Sequence, residues 1–362
     1  MPRTEAPPVV SSAWKRSLAK RLLTWFGEYA RDLPWRRTSD LYCIWISEIM
    51  LQQTQVATVI PYYERFLAAF PTAQTLAGAD EQAVLRLWEG LGYYRRARQL
   101  HAAAKQIVAH HGGKFPQTFE EVRALPGIGR YTAGAILSIG LGQKLPILEA
   151  NTIRVFSRLA AFRGAATSTA GQKFLWSLAE AILPEQDIGH FNQALMELGS
   201  EICFPREPAC LVCPVNTLCA AKKLGLTDRI PTAAPRTRYE EVTEIAVVVR
   251  SRENVLLRQC QPSERWAGLW DFPRFVADET QPLHQHVHQL VGIRIGEAKP
   301  LVTLKHGVTR FRITLNVFEA QPSARRAPQA KDDCRWAAIG DLEQHPLSVT
   351  GRKIARLLQT RV

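Results

Sequence analysis

The first 229 residues carry apolar side chains at helical spacing. Trp14, Leu18, Leu22 and Phe26 recur every four residues, with Ser12 in position to cap that segment. The same period predicts helices near 44–59, 61–69, 81–90, 95–111, 118–124, 130–141, 151–161, 169–183 and 189–202, many of them separated by Gly or Pro. Near residue 230 the pattern changes. Pro231, Thr232, Ala233, Ala234 and Pro235 read as a linker within 230–243. After it the apolar period shortens, and 244–249, 255–258 and 311–318 are rich in strand formers. A closing helix is predicted near 351–360. The pattern divides the chain into a mainly α part over 1–229, a linker over 230–243 and an α/β part over 244–362.

Composition narrows the class. Of 362 residues, 46% are hydrophobic and 22% charged, which excludes a fibrous or wholly disordered chain. The formal net charge is +13. Both parts share it, with 26 basic against 19 acidic residues up to 229 and 20 against 14 beyond. Such a surplus suits a polyanionic partner without naming one. The N-terminal MPRTEAPPVVSSAW lacks the apolar core of a signal peptide, and no apolar run reaches the roughly 18 residues of a membrane span. The expectation is a monomer in the cytoplasm, associated with the nucleoid, with no membrane partner.

Four of the seven cysteines crowd one segment: Cys203, Cys210, Cys213 and Cys219, spaced C-x6-C-x2-C-x5-C. Four thiolates at this spacing hold either a tetrahedral metal such as zinc or an iron–sulfur cluster. Cys43, Cys260 and Cys334 are isolated and read as packing residues. A second signal is LPGIGRYTA at 125–133. Gly127 and Gly129 leave the backbone unshielded between two predicted helices, and the following helix start offers free N–H groups to a phosphate. Arg130 adds charge. A helix–hairpin–helix grips nucleic-acid backbone in this way without reading sequence.

Several longer strings occur in a fixed order: LPWR (33–36), WISEIMLQQTQV (45–56), LWEGLGYYRRAR (87–98), HGGKFP (111–116), LPGIGRYTAGAIL (125–137), FNQALMELG (191–199) and the cysteine run. With them the chain resembles the MutY-type adenine DNA glycosylases of the endonuclease III, helix–hairpin–helix superfamily. The resemblance covers about 13–225 closely and continues more weakly through ERWAGLWDFPRF (264–275) and WAAIGDL (336–342). It implies a two-lobed helical glycosylase with an iron–sulfur loop at 203–219, followed by a Nudix-like recognition domain. It resolves the metal question toward a [4Fe–4S] cluster. The implied partner is double-stranded DNA carrying a mismatch or an oxidised base. The implied reaction is excision of adenine opposite 8-oxoguanine or guanine. No Nudix signature of clustered glutamates is present, which fits recognition rather than nucleotide hydrolysis.

The resemblance also implies site residues. Glu48 falls where the family's Glu protonates the departing adenine at N7. Gln52 and Gln53 fall where polar side chains hold opened base-pair partners. Tyr131 stands where bifunctional relatives carry a Schiff-base Lys, so no amine is supplied there and a monofunctional enzyme is expected.

Two positions depart from the family. Its Asp-Gly-Asn becomes Glu149, Ala150 and Asn151. The negative charge needed beside an oxocarbenium-like sugar survives. The side chain is longer by one methylene, while Asn151 remains as helix cap and site support. The oxidised-guanine loop, commonly Phe-Ser-His, reads Val308, Thr309 and Arg310. Thr309 retains a hydroxyl, and Arg310 suits phosphate or guanine acceptors. Two alternatives follow: a paralogue for another lesion, or a DNA-binding protein that has lost hydrolysis. His284, His286 and His288 would share one face of a strand, and a surface role is expected for them.

Overall fold

The computed structural model describes residues 10–232, 238–278, 280–324 and 327–361; the linker residues Ala233, Ala234 and Pro235 lie outside them. Ser11 rather than Ser12 caps the first helix, its hydroxyl accepting the Trp14 N–H. The cap must stand one residue outside the helical backbone, and Ser12 is already helical.

Helices α1 (Ser12–Tyr29), α2 (Leu41–Leu51), α3 (Val56–Ala69), α4 (Ala73–Ala77), α5 (Glu81–Trp88) and α6 (Arg95–His111) follow in order. Then come α7 (Phe119–Ala124), α8 (Arg130–Leu141), α9 (Ala150–Leu159), α10 (Thr169–Ile182), α11 (Ile188–Glu201) and the short α12 (Ala220–Lys223). The helix predicted over 44–59 is broken. Gln53 takes a left-handed φ of 57° between α2 and α3, and the polar run 52–55 forms the turn. Helix α3 then continues through Pro61, so 61–69 is its second half.

The described chain divides into two compact units. The first runs up to Gly78 and resumes from Gln99 to the linker; the second joins Ala79–Arg98 to the C-terminal residues. In the first unit, α1, α9, α10 and α11 share a core of Leu18, Leu22, Val155, Phe156, Leu175 and Phe191. Helix α2 is apolar on every side and buried from Leu41 to Met50 except at half-buried Cys43, packing on α3 and α8. That placement carries its one carboxylate, Glu48, into the interior.

Between α7 and α8 the chain makes the expected hairpin. Gly127 adopts φ 80°, and Gly129 caps α8 with no side-chain hydrogen bond. The first-turn N–H groups of α8 therefore have no side-chain cap.

In the second unit a sheet runs in the order β3-β2-β1-β6-β5: β1 (Glu240–Ser251), β2 (Asn254–Gln259), β3 (Trp270–Asp271), β5 (Lys299–Val308) and β6 (Phe311–Ala320). β4 (Arg274–Val276) pairs with β1, and β7 (Cys334–Ala338) with β2. β1 and β6 pair in parallel along Glu240–Val249. β1 alternates its side chains, Ala246 and Val248 to one core and Val247 and Val249 to the other. α14 (Val349–Gln359) contributes Ile354 and Leu358 to the first, and α13 (Leu283–Val291) contributes Val287 and Val291 to the second. His284, His286 and His288 lie on α13, not on a strand. At helical pitch His284 and His288 still share a face while His286 points away from them, and His286 stacks on Phe275 at 4.8 Å. Among the described residues no helix is long and apolar enough to cross a membrane.

A Cβ at Gly127 would meet the Gln99 Cβ at 2.9 Å as well as holding a left-handed backbone. Gly127→Ala is expected to lower stability by about 1–2 kcal/mol, measured by urea denaturation.

Candidate active site

Helices α2, α8, α9 and α11 bring Glu48, Tyr131, Glu149, Asn151, Gln193 and Met196 to the wall of one cavity of about 180 Å³ in the first unit. Four of these are the predicted catalytic residues, brought together across more than a hundred positions of chain.

Glu48 is 6% exposed. Burial raises its carboxyl to about 7, and the nearby Glu149 charge adds to the rise; the Tyr131 hydrogen bond opposes both. The Tyr131 hydroxyl lies 2.8 Å from Glu48 Oε2 and 3.3 Å from Met196 Sδ. It has one proton, and the carboxylate is the stronger acceptor. Burial and the two carboxylates push the Tyr131 hydroxyl far above its ordinary range, so it remains a donor.

Glu149 opens α9. Its Oε2 accepts the Asn151 N–H at 2.8 Å and its Oε1 the Thr152 N–H at 2.8 Å. The Thr152 hydroxyl accepts the Glu149 N–H in return, completing a capping box. The extra methylene is taken up by folding the carboxylate back over the helix start. Burial raises the Glu149 carboxyl, opposed by the two N–H groups and by Arg154.

Asn151, expected as the helix cap, already lies inside α9, and Glu149 just before the helix caps it instead. Asn151 packs against Gly199 of α11, where a Cβ would come within 2.6 Å of the Asn151 Cβ. Its Oδ1 accepts from Arg154 Nη2 at 2.9 Å, and Arg154 Nε donates to the Cys203 carbonyl at 2.6 Å. The cavity is thus wired to the cysteine loop. Arg154 carried no sequence signal, since nothing in RVFSR says which arginine points inward. A second unforeseen element is Glu197, 1% exposed, which takes hydrogen bonds from Arg31 and Arg36. Burial alone would raise its carboxyl; the two guanidinium groups prevail and hold it at about 2.

Cys203, Cys210, Cys213 and Cys219 line a single cavity with Val155, Leu198 and Arg158. Burial pushes the Cys213 thiol up to about 12, with the other three sulfurs adding to the shift. Arg158 is 2% exposed and makes no ion pair with a carboxylate among the described residues. Its Nη1 lies 3.2 Å from Cys203 Sγ and 2.6 Å from the Phe204 carbonyl, and its Nε donates to the Ile230 carbonyl at 2.8 Å. Among the described residues no three His, Cys, Asp or Glu side chains gather around a single ion position.

The other predicted residues lie at turns. Gln52 ends α2, and Gln53 forms the exposed left-handed turn after it. Arg130 starts α8 but is engaged, donating to Glu180 at 2.5 Å and lying 3.8 Å over the Trp176 ring. Thr309 and Arg310 belong to the second unit, at the β5–β6 turn. Thr309 holds φ 51°, unusual for a β-branched residue, and its hydroxyl donates to the Val308 carbonyl. Arg310 pairs with Glu240 at 3.2 Å. The same turn lines a cleft of about 510 Å³ with Tyr93, Trp266, His306 and Phe311. Tyr93, 48% exposed at φ 48°, was not foreseen as a site residue.

Comparison with known proteins agrees with this architecture. Residues 46–181 match the family model for HhH-GPD superfamily base excision DNA repair proteins. Residues 245–357 match the NUDIX domain. The adenine DNA glycosylase of Mus musculus is 34% identical over 402 aligned positions, covering 93% of this chain and 77% of its own. That of Homo sapiens is 40% identical over 262, covering 70% and 48%. Buchnera aphidicola subsp. Acyrthosiphon pisum has one 33% identical over 303, covering 83% and 86%. A solved thermostable thymine-DNA glycosylase aligns with TM-score 0.54 at 30% identity, over 59% of this chain and 98% of its own. Endonuclease III in a non-covalent DNA complex shares the fold, with TM-score 0.51 at 19% identity, over 60% of this chain and 99% of its own. The site and the helical unit thus define a helix–hairpin–helix base-excision repair protein. Within that class, the chain belongs to the adenine DNA glycosylase family.

Folded Glu48 keeps its proton above the pH at which a free glutamate loses it. Its contribution to stability is complete at low pH and is lost as pH rises through about 7. Tyr131→Phe removes a hydrogen bond that favours the charged form. The Glu48 midpoint should then move upward, as followed by carbon-13 NMR of labelled glutamate.

Proposed function

We propose that this chain hydrolyses the bond between adenine and deoxyribose where adenine stands opposite 8-oxoguanine or guanine in duplex DNA. It is a DNA glycosylase of base excision repair, and its partner is double-stranded DNA. One observation carries the mechanistic reading: a buried carboxyl poised near neutrality, Glu48, shares a cavity with a second carboxylate at a helix start, Glu149.

Adenine must leave the stack to reach such a cavity. Protonated Glu48 then gives its proton to adenine N7, turning a poor leaving group into a neutral one. As the C–N bond breaks, positive charge builds on the sugar. Glu149 is the anion positioned to stabilise it, itself oriented by the Asn151 and Thr152 N–H groups. Water supplies hydroxide to C1′ and releases a proton, leaving an abasic site. Tyr131 holds the Glu48 carboxyl in place and offers no amine, so hydrolysis ends the reaction. The hairpin at Gly127 and Gly129 grips the phosphate backbone. Gln52 and Gln53 support the opened pair, and Arg130 contributes only if it leaves Glu180. The C-terminal unit inspects the partner base, with Thr309 and Arg310 at its reading turn.

Cys203, Cys210, Cys213 and Cys219 would hold a [4Fe–4S] cluster. The donor chemistry supports this: four thiols wall one cavity, and a buried Arg158 beside them lacks a carboxylate counter-charge that thiolate ligands would supply. When bound, the cluster cross-links the 203–219 loop and takes no part in hydrolysis.

The test is an oligonucleotide assay with adenine opposite 8-oxoguanine, guanine and thymine. Glu48→Gln is expected to slow excision by about 100- to 10,000-fold. Wild-type activity should fall about tenfold per pH unit above about 7, as Glu48 loses its proton. Glu149→Gln should cost about 100- to 1,000-fold, while Glu149→Asp stays within about tenfold, because charge matters more than length. No alkali-labile product from any adenine-containing duplex would overturn the assignment. For the cluster, Arg158→Leu should lower the iron and acid-labile sulfide content of the purified protein. Full retention of both would separate Arg158 from the ligands.

A further inference from the structure

Residues Ala79–Arg98 are held against the C-terminal residues by an unusual set of bonds. The Gln82 side chain donates to the Gly268 carbonyl at 3.0 Å and accepts from Trp270 Nε1 at 2.9 Å. Arg86 Nε donates to the Glu343 carbonyl. At the end of α5, Glu89 accepts a bidentate pair from Arg352, at 2.6 and 2.9 Å, and the Leu347 N–H at 3.1 Å. Both side chains are buried, Glu89 at 8% and Arg352 at 11% exposure. Arg352 spends its other donors on the Leu342 and His345 carbonyls. No catalytic step uses this pair.

Its position suggests what it does. Directly after Glu89 the chain turns through Gly90, Gly92 and Tyr93, all at positive φ. The turn is braced internally: Gly90 N–H donates to the Tyr94 hydroxyl, Trp88 Nε1 to the Gly92 carbonyl, and Arg96 to the Leu91 and Gly92 carbonyls. A turn tied to itself moves as one body, and Glu89 is its attachment. Arg352 lies just after Val349 and Thr350 at the start of α14. Thr350 accepts from Arg274 Nη1 at 2.8 Å, and Arg274 Nη2 lies 3.3 Å from His306 Nε2. Gly92 to Arg95, Val349, Thr350 and the strand from His306 to Thr309 all line the same 510 Å³ cleft.

We propose that Glu89 and Arg352 are a positioning pair that fixes the 90–94 turn and the β5–β6 turn as two walls of one cleft, which takes the partner-strand nucleotide. The occupant rests on the reading that the C-terminal unit inspects the partner base. The cleft chemistry agrees with it. Tyr93, Trp266 and Phe311 offer ring surfaces, and Arg95 and Arg98 form no ion pair among the described residues. The pair acts through these walls and does not itself touch DNA.

The test uses the full-length chain, Glu89→Gln, and the charge-reversed double variant Glu89→Arg with Arg352→Glu. Hydrogen exchange read by mass spectrometry should rise about tenfold in Glu89→Gln across both 90–95 and 304–309, with peptides around Glu48 and Glu149 unchanged. Partner preference is read as the ratio of dissociation constants for duplexes carrying an uncleavable adenine analogue opposite 8-oxoguanine or guanine. That ratio should fall about tenfold, and the excision rate at saturating DNA should change less than about threefold. The double variant should recover part of both losses. Exchange that rises only within 81–89 would overturn the proposal, as would an unchanged binding ratio. If no adenine is excised by the wild type, the functional reading fails, while exchange and binding still decide the role of the pair.

Discussion

A helix ten residues long, α9, must answer two electrostatic demands at once. Its start lies in the cavity, where free N–H groups and the helix dipole call for an anion, and Glu149 supplies it. Two of its arginines, Arg154 and Arg158, turn inward and require partners in a place with little water. They find carbonyls and a sulfur of the cysteine loop. Moving α9 by one residue would strand two buried cations and an acid together. The placement of Asn151, the seating of Gly199 and the course of the chain at 203–205 all follow from satisfying this one element.

Glu48 is the complementary case. Helix α2 is apolar all round, so its burial is driven by many side chains and tolerated by one. A carboxyl carried inside in this way rises toward neutrality because its charged form is the costly one. A carboxyl that holds its proton near neutrality is therefore a by-product of packing. Glu197, buried to a similar degree, moves the opposite way because Arg31 and Arg36 reach it. Two glutamates in one pocket are set to different charge states by their neighbours alone.

Much of this was legible in the sequence. Helical periodicity located most of the long helices to within a residue or two, because their cores are local and repetitive. It failed at Gln53, where the apolar period runs straight across a turn. It also missed β5, where half-buried Val302, Leu304, His306 and Val308 alternate with exposed residues but no position is fully buried. Glu48, Tyr131, Glu149 and the four cysteines were identifiable because they sit in recognisable strings. Arg154, Glu197 and the pair Glu89–Arg352 were not. Their meaning lies in which distant residue they meet, and neither spacing nor composition encodes that. The histidines of α13 mislead for a related reason: alternation looks like a strand until Val287 and Val291 are seen to face a core.

The tyrosine at 131 has an outcome beyond the pocket. A phenol has no nitrogen and so cannot form an imine with an opened sugar, and under the reaction proposed above the phosphodiester on either side is left whole. The product is a continuous strand with a missing letter. Such a gap miscodes when copied and breaks slowly on its own. On that proposal, work of this kind is complete only when a separate nuclease nicks the backbone, and the product is handed over rather than finished.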